Sequence, residues 1–261
     1  MPGSAMKRYV SLLSFLLAFL VILGCATAPV TGRTQILLVP EGEEIALGIN
    51  AYKEILSKAK ISHDPGINAQ VTRVGMRIAQ VADKPEYSWE FTVVDDNATI
   101  NAFALPGGKV AVYTGILPYT KDDAGLAFVL AHEVGHALAR HGGERMSEQL
   151  LLQLGQEGLN IAIADKSSQA IQAINLGYGV GATLGFMLPF SRTQELEADH
   201  IGIILMAKAG YDPREAPKFF ERMMSGHTKK GPAFLSTHPA DETRIRDLNA
   251  FIPEALQYYH P

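Results

Sequence analysis

The stretch that decides the fold is Ala131-His132-Glu133-Val134-Gly135-His136, which lies in a run of helix-forming residues. Residues four positions apart project from the same face of a helix, so His132 and His136 can bind one zinc ion together. Glu133 follows the first histidine and can act as a general base beside the metal. The same five-residue pattern also arises by chance on surface helices, so support is needed from elsewhere in the chain.

A second stretch downstream carries acidic side chains that such a centre needs. Glu195, Glu197 and Asp199 precede the apolar run 200–209, which ends at Gly210 as helices commonly do. Glu195 and Asp199 are one turn apart, so one carboxylate can complete the zinc site while the other accepts a hydrogen bond from a ligand histidine. The alternative is a solvated acidic helix start that favours the helix dipole. The apolar run favours a partly buried helix, in which unpaired carboxylates would be costly.

One other class of zinc protease is excluded by the residues after the motif. In that class the motif continues with Gly at position 139 and His or Asp at position 142, whereas this chain has Ala139 and Gly142. His141 lies one residue short of the third-ligand position. We therefore interpret His141 as a histidine at the C-terminal end of the motif helix.

His132-Glu133-x-x-His136 and Glu195-x-x-x-Asp199 together resemble the gluzincin family of HtpX, BepA and the CAAX prenyl endopeptidases. The chain also matches that family in three further stretches, which are Pro29–Arg33, Asn101–Gly108 and Ser236–Pro239. The resemblance covers nearly all of the chain beyond residue 28, and the spaced set is more specific than any single piece.

The resemblance implies a metalloendopeptidase with one zinc ion per chain, whose ligands would be His132, His136 and Glu195. It implies Glu133 as the general base and Asp199 as a partner that orients a ligand histidine. In the BepA-like branch a further histidine near the C-terminus can be a fourth ligand, and an arginine faces the site. The matching residues are His238, as a metal ligand, and Arg244, in a catalytic role.

The pattern of apolar residues predicts mostly helices around a small sheet, and the resemblance implies a zincin-like α+β domain. Apolar stripes predict helices over 43–60 and 65–82, and alternation predicts strands over 87–94 and 109–114. We expect Asp122 or Asp123 to cap the motif helix.

The stretch Asn101–Thr114 is the best candidate for a wall of the active site. Zinc endopeptidases of this general kind hold their substrate as an added strand, whose main-chain hydrogen bonds tolerate many sequences. We therefore expect a polypeptide substrate to bind in an extended conformation along this edge. The alternative is an ordinary hairpin that only supports the core.

The N-terminus resembles a bacterial lipoprotein signal peptide. Lys7 and Arg8 precede an apolar segment that ends at Gly24-Cys25, and Cys25 is the only cysteine in the chain. This predicts a signal peptide over 1–24, a linker over 25–40 and a peptidase domain over 41–261. It also predicts lipidation at Cys25, a lipid anchor in the membrane and a location on the periplasmic face of the outer membrane. An uncleaved membrane anchor is the alternative.

The glycine-rich segment 176–190 has two interpretations. It is either a helix of small residues packed closely on the core or a mobile flap above the metal. The loop around Lys229-Lys230-Gly231 is expected to be a solvated tip.

Composition and motif together favour an enzyme. The net charge of −4 gives no electrostatic reason to expect nucleic-acid binding. We expect hydrolysis of peptide bonds in misfolded or misassembled envelope proteins, as part of protein quality control. The alternative from a different class is a chaperone-like or binding protein with a structural zinc ion. A structural site usually closes with four protein ligands and has no need of a base, so Glu133 favours the peptidase.

Overall fold

The computed structural model describes residues 25–163, 190–225, 233–239 and 241–260, with the side chains of 155–163 outside this description. The predicted signal peptide, the glycine-rich segment up to residue 189 and the tip at 229–231 lie outside the described residues. None of the described helices has the length and apolar character needed to cross a membrane.

Two helices begin the domain close to where the sequence predicts them. Helix α1 spans Glu41–Lys58, and helix α2 spans Pro65–Val81. Asp64 caps α2 by accepting hydrogen bonds from the backbone N–H groups of Gly66 and Ile67, with Pro65 at the first helical position. These two helices pack against the larger of the two sheets.

The sheet has three strands in the order β3-β5-β4. Strand β3 spans Glu90–Val94, β4 spans Ala102–Leu105 and β5 spans Lys109–Tyr113. Strands β3 and β5 are parallel, whereas β4 and β5 form an antiparallel hairpin through Gly107 and Gly108. Both glycines have positive φ, which L-residues rarely adopt, so the Pro106-Gly107-Gly108 turn requires them. Strand β4 is consequently an edge strand of this sheet.

Helices make up the rest of the described domain. A 3₁₀ turn at Thr114–Ile116 and the short helix α3, Leu117–Thr120, lead into the motif helix α4, Asp123–Leu138. The remaining helices are α5, His141–Ile163; α6, Arg192–Lys208; α7, Glu215–Ser225; α8, Ala233–Thr237; and α9, Glu242–Ala255. Asp122, one of the two predicted caps, accepts hydrogen bonds from the backbone N–H groups of Ala124 and Gly125 at the start of α4.

Helix α4 is the centre of the core, because its residues 126–131 are all fully buried. Its closest neighbour is α6, and small residues allow their backbones to meet. A Cβ atom on Gly202 of α6 would lie 2.9 Å from the backbone nitrogen of His132. One on Gly135 of α4 would lie 3.0 Å from the carbonyl oxygen of Ala198. This close approach places the faces of α4 and α6 that carry the predicted ligands side by side, and the predicted α+β, mainly helical zincin-like fold is confirmed.

The segment before α1 is folded onto the domain. Strands β1, Cys25–Thr27, and β2, Thr34–Ile36, pair antiparallel. Between them, Arg33 forms ion pairs with Glu144 of α5 and Glu197 of α6. The predicted linker 25–40 therefore has structure and contacts of its own, while the domain limits stay a prediction.

Candidate metal centre

Four side chains from three separate segments converge in the core. His132 and His136 come from α4, Glu195 from the first turn of α6, and His238 from the residue after α8. All four are at most 3% exposed, and each offers one ligand atom within 4.8 Å of the others. Among the described residues this is the group with the composition and spacing of a metal site.

The distances between the donor atoms fit a tetrahedral metal. His132 Nε2 lies 3.1 Å from His136 Nε2 and 3.2 Å from His238 Nδ1. Glu195 contributes oxygens at 3.5 Å from His132 Nε2, 3.4 Å from His136 Nε2 and 3.0 Å from His238 Nδ1. Ligands about 2.0–2.1 Å from a tetrahedral zinc ion are separated by roughly 3.3 Å. The donors are therefore already spaced for such an ion.

The charges around the donors also favour a cation. Glu133, Glu195 and Asp199 are buried carboxylates, and the guanidinium of Arg244 contacts Glu195 and Asp199. Burial opposes protonation of His132, but the hydrogen bonds that its ring donates to Asp199 and Glu195 outweigh burial and raise the pKa of His132 to about 9. A divalent cation would balance this excess negative charge, so the residues present fit zinc.

Asp199 and Arg244 contact the candidate ligands His132 and Glu195. His132 Nδ1 lies 2.9 Å from Asp199 Oδ1, on the opposite side of the ring from the donor atom Nε2. Arg244 donates to both oxygens of Asp199 at 2.7 Å and lies 2.6 Å from Glu195 Oε2. The predicted site residue Arg244 is thus brought to the centre, with its guanidinium directed at carboxylates. Burial raises the pKa of both acids, but Arg244 and the histidines outweigh it, so both pKa values are lowered.

Glu133 lies beside the donors and contacts the edge of the sheet. Its Oε2 accepts a hydrogen bond from the backbone N–H of Ala104 in β4 at 3.2 Å, and its Oε1 is 3.3 Å from His238 Nε2. Burial raises the pKa of Glu133 above the ordinary value for a glutamate. A carboxylate with a raised pKa is better suited than an ordinary one to accept and return a proton.

A second polar network, which sequence reasoning missed, lies behind His136. The interpretation of His141 as a C-terminal residue of the motif helix is wrong, because α4 ends at Leu138 and His141 begins α5. Arg140 separates the two helices with φ of 56°, and this left-handed residue turns the chain. The turn places His141 Nδ1 at 2.8 Å from His136 Nδ1, and His141 Nε2 at 2.9 Å from Glu197 Oε2. Burial opposes ionisation of Glu197, but hydrogen bonds from His141, Thr31 and Arg33 lower its pKa to about 2.

Aromatic stacking on the ligands was also missed. The ring of Phe190 stacks on His136 with centroids 3.7 Å apart, and Arg145 Cζ lies 3.6 Å from the centroid of Phe190. Phe190 closes an apolar, glycine-rich stretch of sequence, and nothing in that pattern distinguishes a residue over a metal site from a core residue. The ring shields one side of the centre from solvent.

A buried His₂Glu donor set with an adjacent glutamate, in a mixed helix and sheet domain, defines the class of zinc metallopeptidases. Comparison with known proteins identifies the group within that class. Residues 65–252 match the model of peptidase family M48, and the chain belongs to this family.

Curated relatives of the chain include proteases of two kinds. It is 38% identical to the mitochondrial metalloendopeptidase OMA1 of Schizosaccharomyces pombe, over 87% of this chain and 66% of the relative. It is 34% identical to that of Saccharomyces cerevisiae, over 89% of this chain and 70% of the relative. It is 31% identical to the β-barrel assembly-enhancing protease of Escherichia coli, over 85% of this chain and 46% of the relative.

These comparisons confirm some predictions and overturn another. The predicted enzyme class, a metalloendopeptidase, is confirmed, and so is the wider family; the lipoprotein branch is not established. The prediction of a bacterial envelope location is overturned, because the relatives include mitochondrial OMA1 proteins of yeasts, a plant and cattle. The signal-like N-terminus therefore does not fix the compartment. Cys25 is exposed, and its acylation stays a prediction from the sequence alone.

Proposed function

We propose that this chain is a zinc-dependent endopeptidase in which Glu133 is the general base. One observation carries the proposal: His132, His136, Glu195 and His238 form a buried cluster of possible metal ligands, and the buried carboxylate of Glu133 interacts electrostatically with His132 and Glu195 and lies 3.3 Å from His238 Nε2. A purely structural zinc site gives no role to such a carboxylate. The role of each of these residues follows from its contacts.

The proposed catalytic cycle uses groups that lie close to one another. When bound, zinc lowers the pKa of water and polarises the carbonyl of the scissile peptide. Glu133 accepts the proton of the attacking water and then donates it to the leaving amine nitrogen. Asp199 holds the ring of His132, and Arg244 compensates the charge of Asp199 and Glu195. In this assignment Arg244 supports the ligands and does not touch the substrate.

The outer edge of β4 is suited to hold the substrate. Tyr113 of β5 donates its backbone N–H to the carbonyl oxygen of Asn101. Because main-chain groups alternate in an antiparallel ladder, those of Ala102 and Ala104 point away from β5. The bond from the Ala104 N–H to Glu133 agrees with this orientation. We infer that an extended peptide adds to β4 as a further strand, with its scissile carbonyl beside the donors.

Recognition through main-chain groups selects for conformation more than for sequence. A folded protein rarely offers an unpaired extended segment, whereas unfolded and misassembled chains do. We therefore propose misfolded or misassembled polypeptides as the substrate class and quality control as the role. The chain spans from about a third to 70% of the length of these relatives.

His238 is proposed as a fourth ligand that keeps the enzyme latent. Its Nδ1 lies near His132 and Glu195, where the fourth donor of a tetrahedral site belongs, and its Nε2 is near Glu133. While His238 holds this position, the attacking water has no place beside Glu133. Replacing it in His238→Ala is expected to raise the rate of casein cleavage. A steep loss of rate without activation would argue against the latch.

The second candidate is a binding protein with a structural zinc ion. The observation in its favour is that His238 completes a set of four protein donors, as structural sites have. Under this alternative the chain would hold unfolded clients without cutting them.

The experiment that separates the two candidates is the exchange Glu133→Gln. We expect the variant to retain one zinc ion per chain and to lose about 10²- to 10⁴-fold in the rate of cleavage of an unfolded protein such as reduced casein. The matched control is Glu54→Gln, an exposed glutamate on α1 that pairs with Lys58, and it should leave zinc content and rate unchanged. Cleavage by Glu133→Gln at the wild-type rate would refute the assignment.

A further inference from the structure

A continuous chain of polar contacts connects the N-terminal segment to the metal centre. His136 Nδ1 lies 2.8 Å from His141 Nδ1, and His141 Nε2 lies 2.9 Å from Glu197 Oε2. Glu197 in turn accepts a hydrogen bond from Arg33 Nε at 2.9 Å and another from the hydroxyl of Thr31. Thr31 and Arg33 belong to the Pro29–Arg33 stretch, to which the proposed mechanism gives no role.

The proton positions along this series of side chains follow from one constraint. A neutral histidine that binds a metal through Nε2 carries its hydrogen on Nδ1, so His136 must donate to His141. His141 Nδ1 is then the acceptor, and its hydrogen lies on Nε2, which donates to Glu197. The carboxylate of Glu197 can only accept, and Arg33 and Thr31 supply its remaining donors. Every polar atom in the series therefore has a partner of the right kind.

The outer end of the series is firmly held. Arg33 also binds both oxygens of Glu144 on α5, at 2.6 Å and 2.8 Å. Gln194 of α6 donates to the same carboxylate at 2.7 Å. His141 and Glu197 are at most 3% exposed, so water does not compete for these hydrogen bonds. Docking of the segment therefore fixes Glu197, which fixes His141.

We propose that Arg33, Glu197 and His141 are positioning residues that orient the ring of His136. Contacts of residues 31–33 with Glu197 would then raise the zinc affinity of the centre, although residues 31–33 do not contact the metal ligands themselves. The inference rests on the proposed zinc site. Hydrogen-bond partners of metal-bound histidines fix the ring and its tautomer, and their loss typically costs about 10- to 100-fold in metal affinity. Here the supporting series extends through two more side chains to a separate segment of the chain.

The test measures zinc affinity of the full chain by competition with a chromophoric chelator. We expect His141→Ala to weaken zinc binding about 10- to 100-fold and Arg33→Met to weaken it by a smaller factor, about threefold or more. The double variant should bind no more weakly than His141→Ala, because the series is already interrupted. If His141→Ala does not fold, Glu197→Gln takes its place. With Co²⁺ in place of zinc, the ligand-field spectrum of each variant should shift, which a change in stability alone would not cause.

The matched control is Arg222→Met on α7. Arg222 is 26% exposed at its side chain, against 24% for Arg33, and it forms a comparable ion pair with Glu215 away from the centre. Its loss should leave zinc affinity and the Co²⁺ spectrum unchanged. Arg33→Met with wild-type affinity, or additive losses in the double variant, would overturn the inference. A wild-type chain that binds no zinc would overturn the proposed function as well, whereas zinc binding without cleavage would overturn the proposed function alone.

Discussion

Arg244→Met is the substitution that should weaken the fold most sharply at the centre. Three nitrogens of Arg244 lie 2.6–2.7 Å from oxygens of Glu195 and Asp199, and the residue is 4% exposed. Methionine fills much of the same volume but removes the charge. Two buried carboxylates then lose the guanidinium that compensates them.

The size of the effect follows from the burial of this group. Breaking a buried ion pair by removing one partner costs about 3–5 kcal/mol, because the remaining charge stays buried. With a slope of about 2 kcal/mol per M urea, this corresponds to a drop of roughly 1.5–2.5 M in the midpoint of unfolding. Bound zinc compensates part of the charge, so the loss should be larger after treatment with a chelator. Arg244→Lys retains the charge without the two-pronged geometry and should fall between methionine and the wild type.

Equilibrium unfolding in urea, followed by circular dichroism with and without chelator, tests this reasoning. The control is Arg73→Met on α2, whose partner Asp123 is at the surface, where an ion pair contributes about 0–1 kcal/mol. Midpoints for Arg244→Met and Arg73→Met that agree within about 0.5 M would refute the account of a charge-compensated centre. So would an effect of chelator that is equal in Arg244→Met and the wild type.

Three other perturbations have defined outcomes. Removing zinc with a chelator should lower the melting temperature, and zinc at 100 times its dissociation constant should restore about 2.7 kcal/mol; a melting temperature independent of zinc would contradict a bound ion. Gly202→Ala should lower the free energy of unfolding by about 1–3 kcal/mol, because its methyl group meets the backbone of α4. The control Gly42→Ala on α1 has open space and should be neutral or stabilising, so equal effects would count against the close helix contact. Asp122→Ala should cost about 1 kcal/mol by thermal unfolding, since it removes the cap of α4, and an unchanged stability would mean that the cap is not needed.

Sequence patterns predicted the parts of the structure that depend on local periodicity. The predicted helices 43–60 and 65–82 are observed as Glu41–Lys58 and Pro65–Val81, since stripes of apolar residues mark helices well and their ends poorly. The predicted strands 87–94 and 109–114 are observed as Glu90–Val94 and Lys109–Tyr113. The candidate ligands on α4 and α6 could be predicted because four-residue spacing fixes which side chains share a helical face, whereas His238 was predicted from the family resemblance alone.

Contacts between segments that are distant in the sequence could not be predicted from the same patterns. The end of α4 at Leu138 and the start of α5 at His141 depend on the left-handed Arg140, which no propensity favours. The role of Glu197 could not be predicted from its acidic neighbours, because its partners Arg33 and His141 are 164 and 56 residues away in the sequence. A stretch such as Pro29–Arg33 carries a matching pattern without any local chemistry that indicates where it docks.

The close approach of the α4 and α6 backbones at Gly135 and Gly202 affects how the candidate centre would bind a metal ion. Because Gly135 and Gly202 let two main chains touch, the donors on these helices are anchored to rigid elements with no intervening side chain to relax. Donors on two helices whose backbones touch have little freedom to move apart, so little conformational entropy would be lost when an ion binds. This rigidity would favour an ion with short bonds to nitrogen and oxygen, such as zinc, over a larger ion such as calcium.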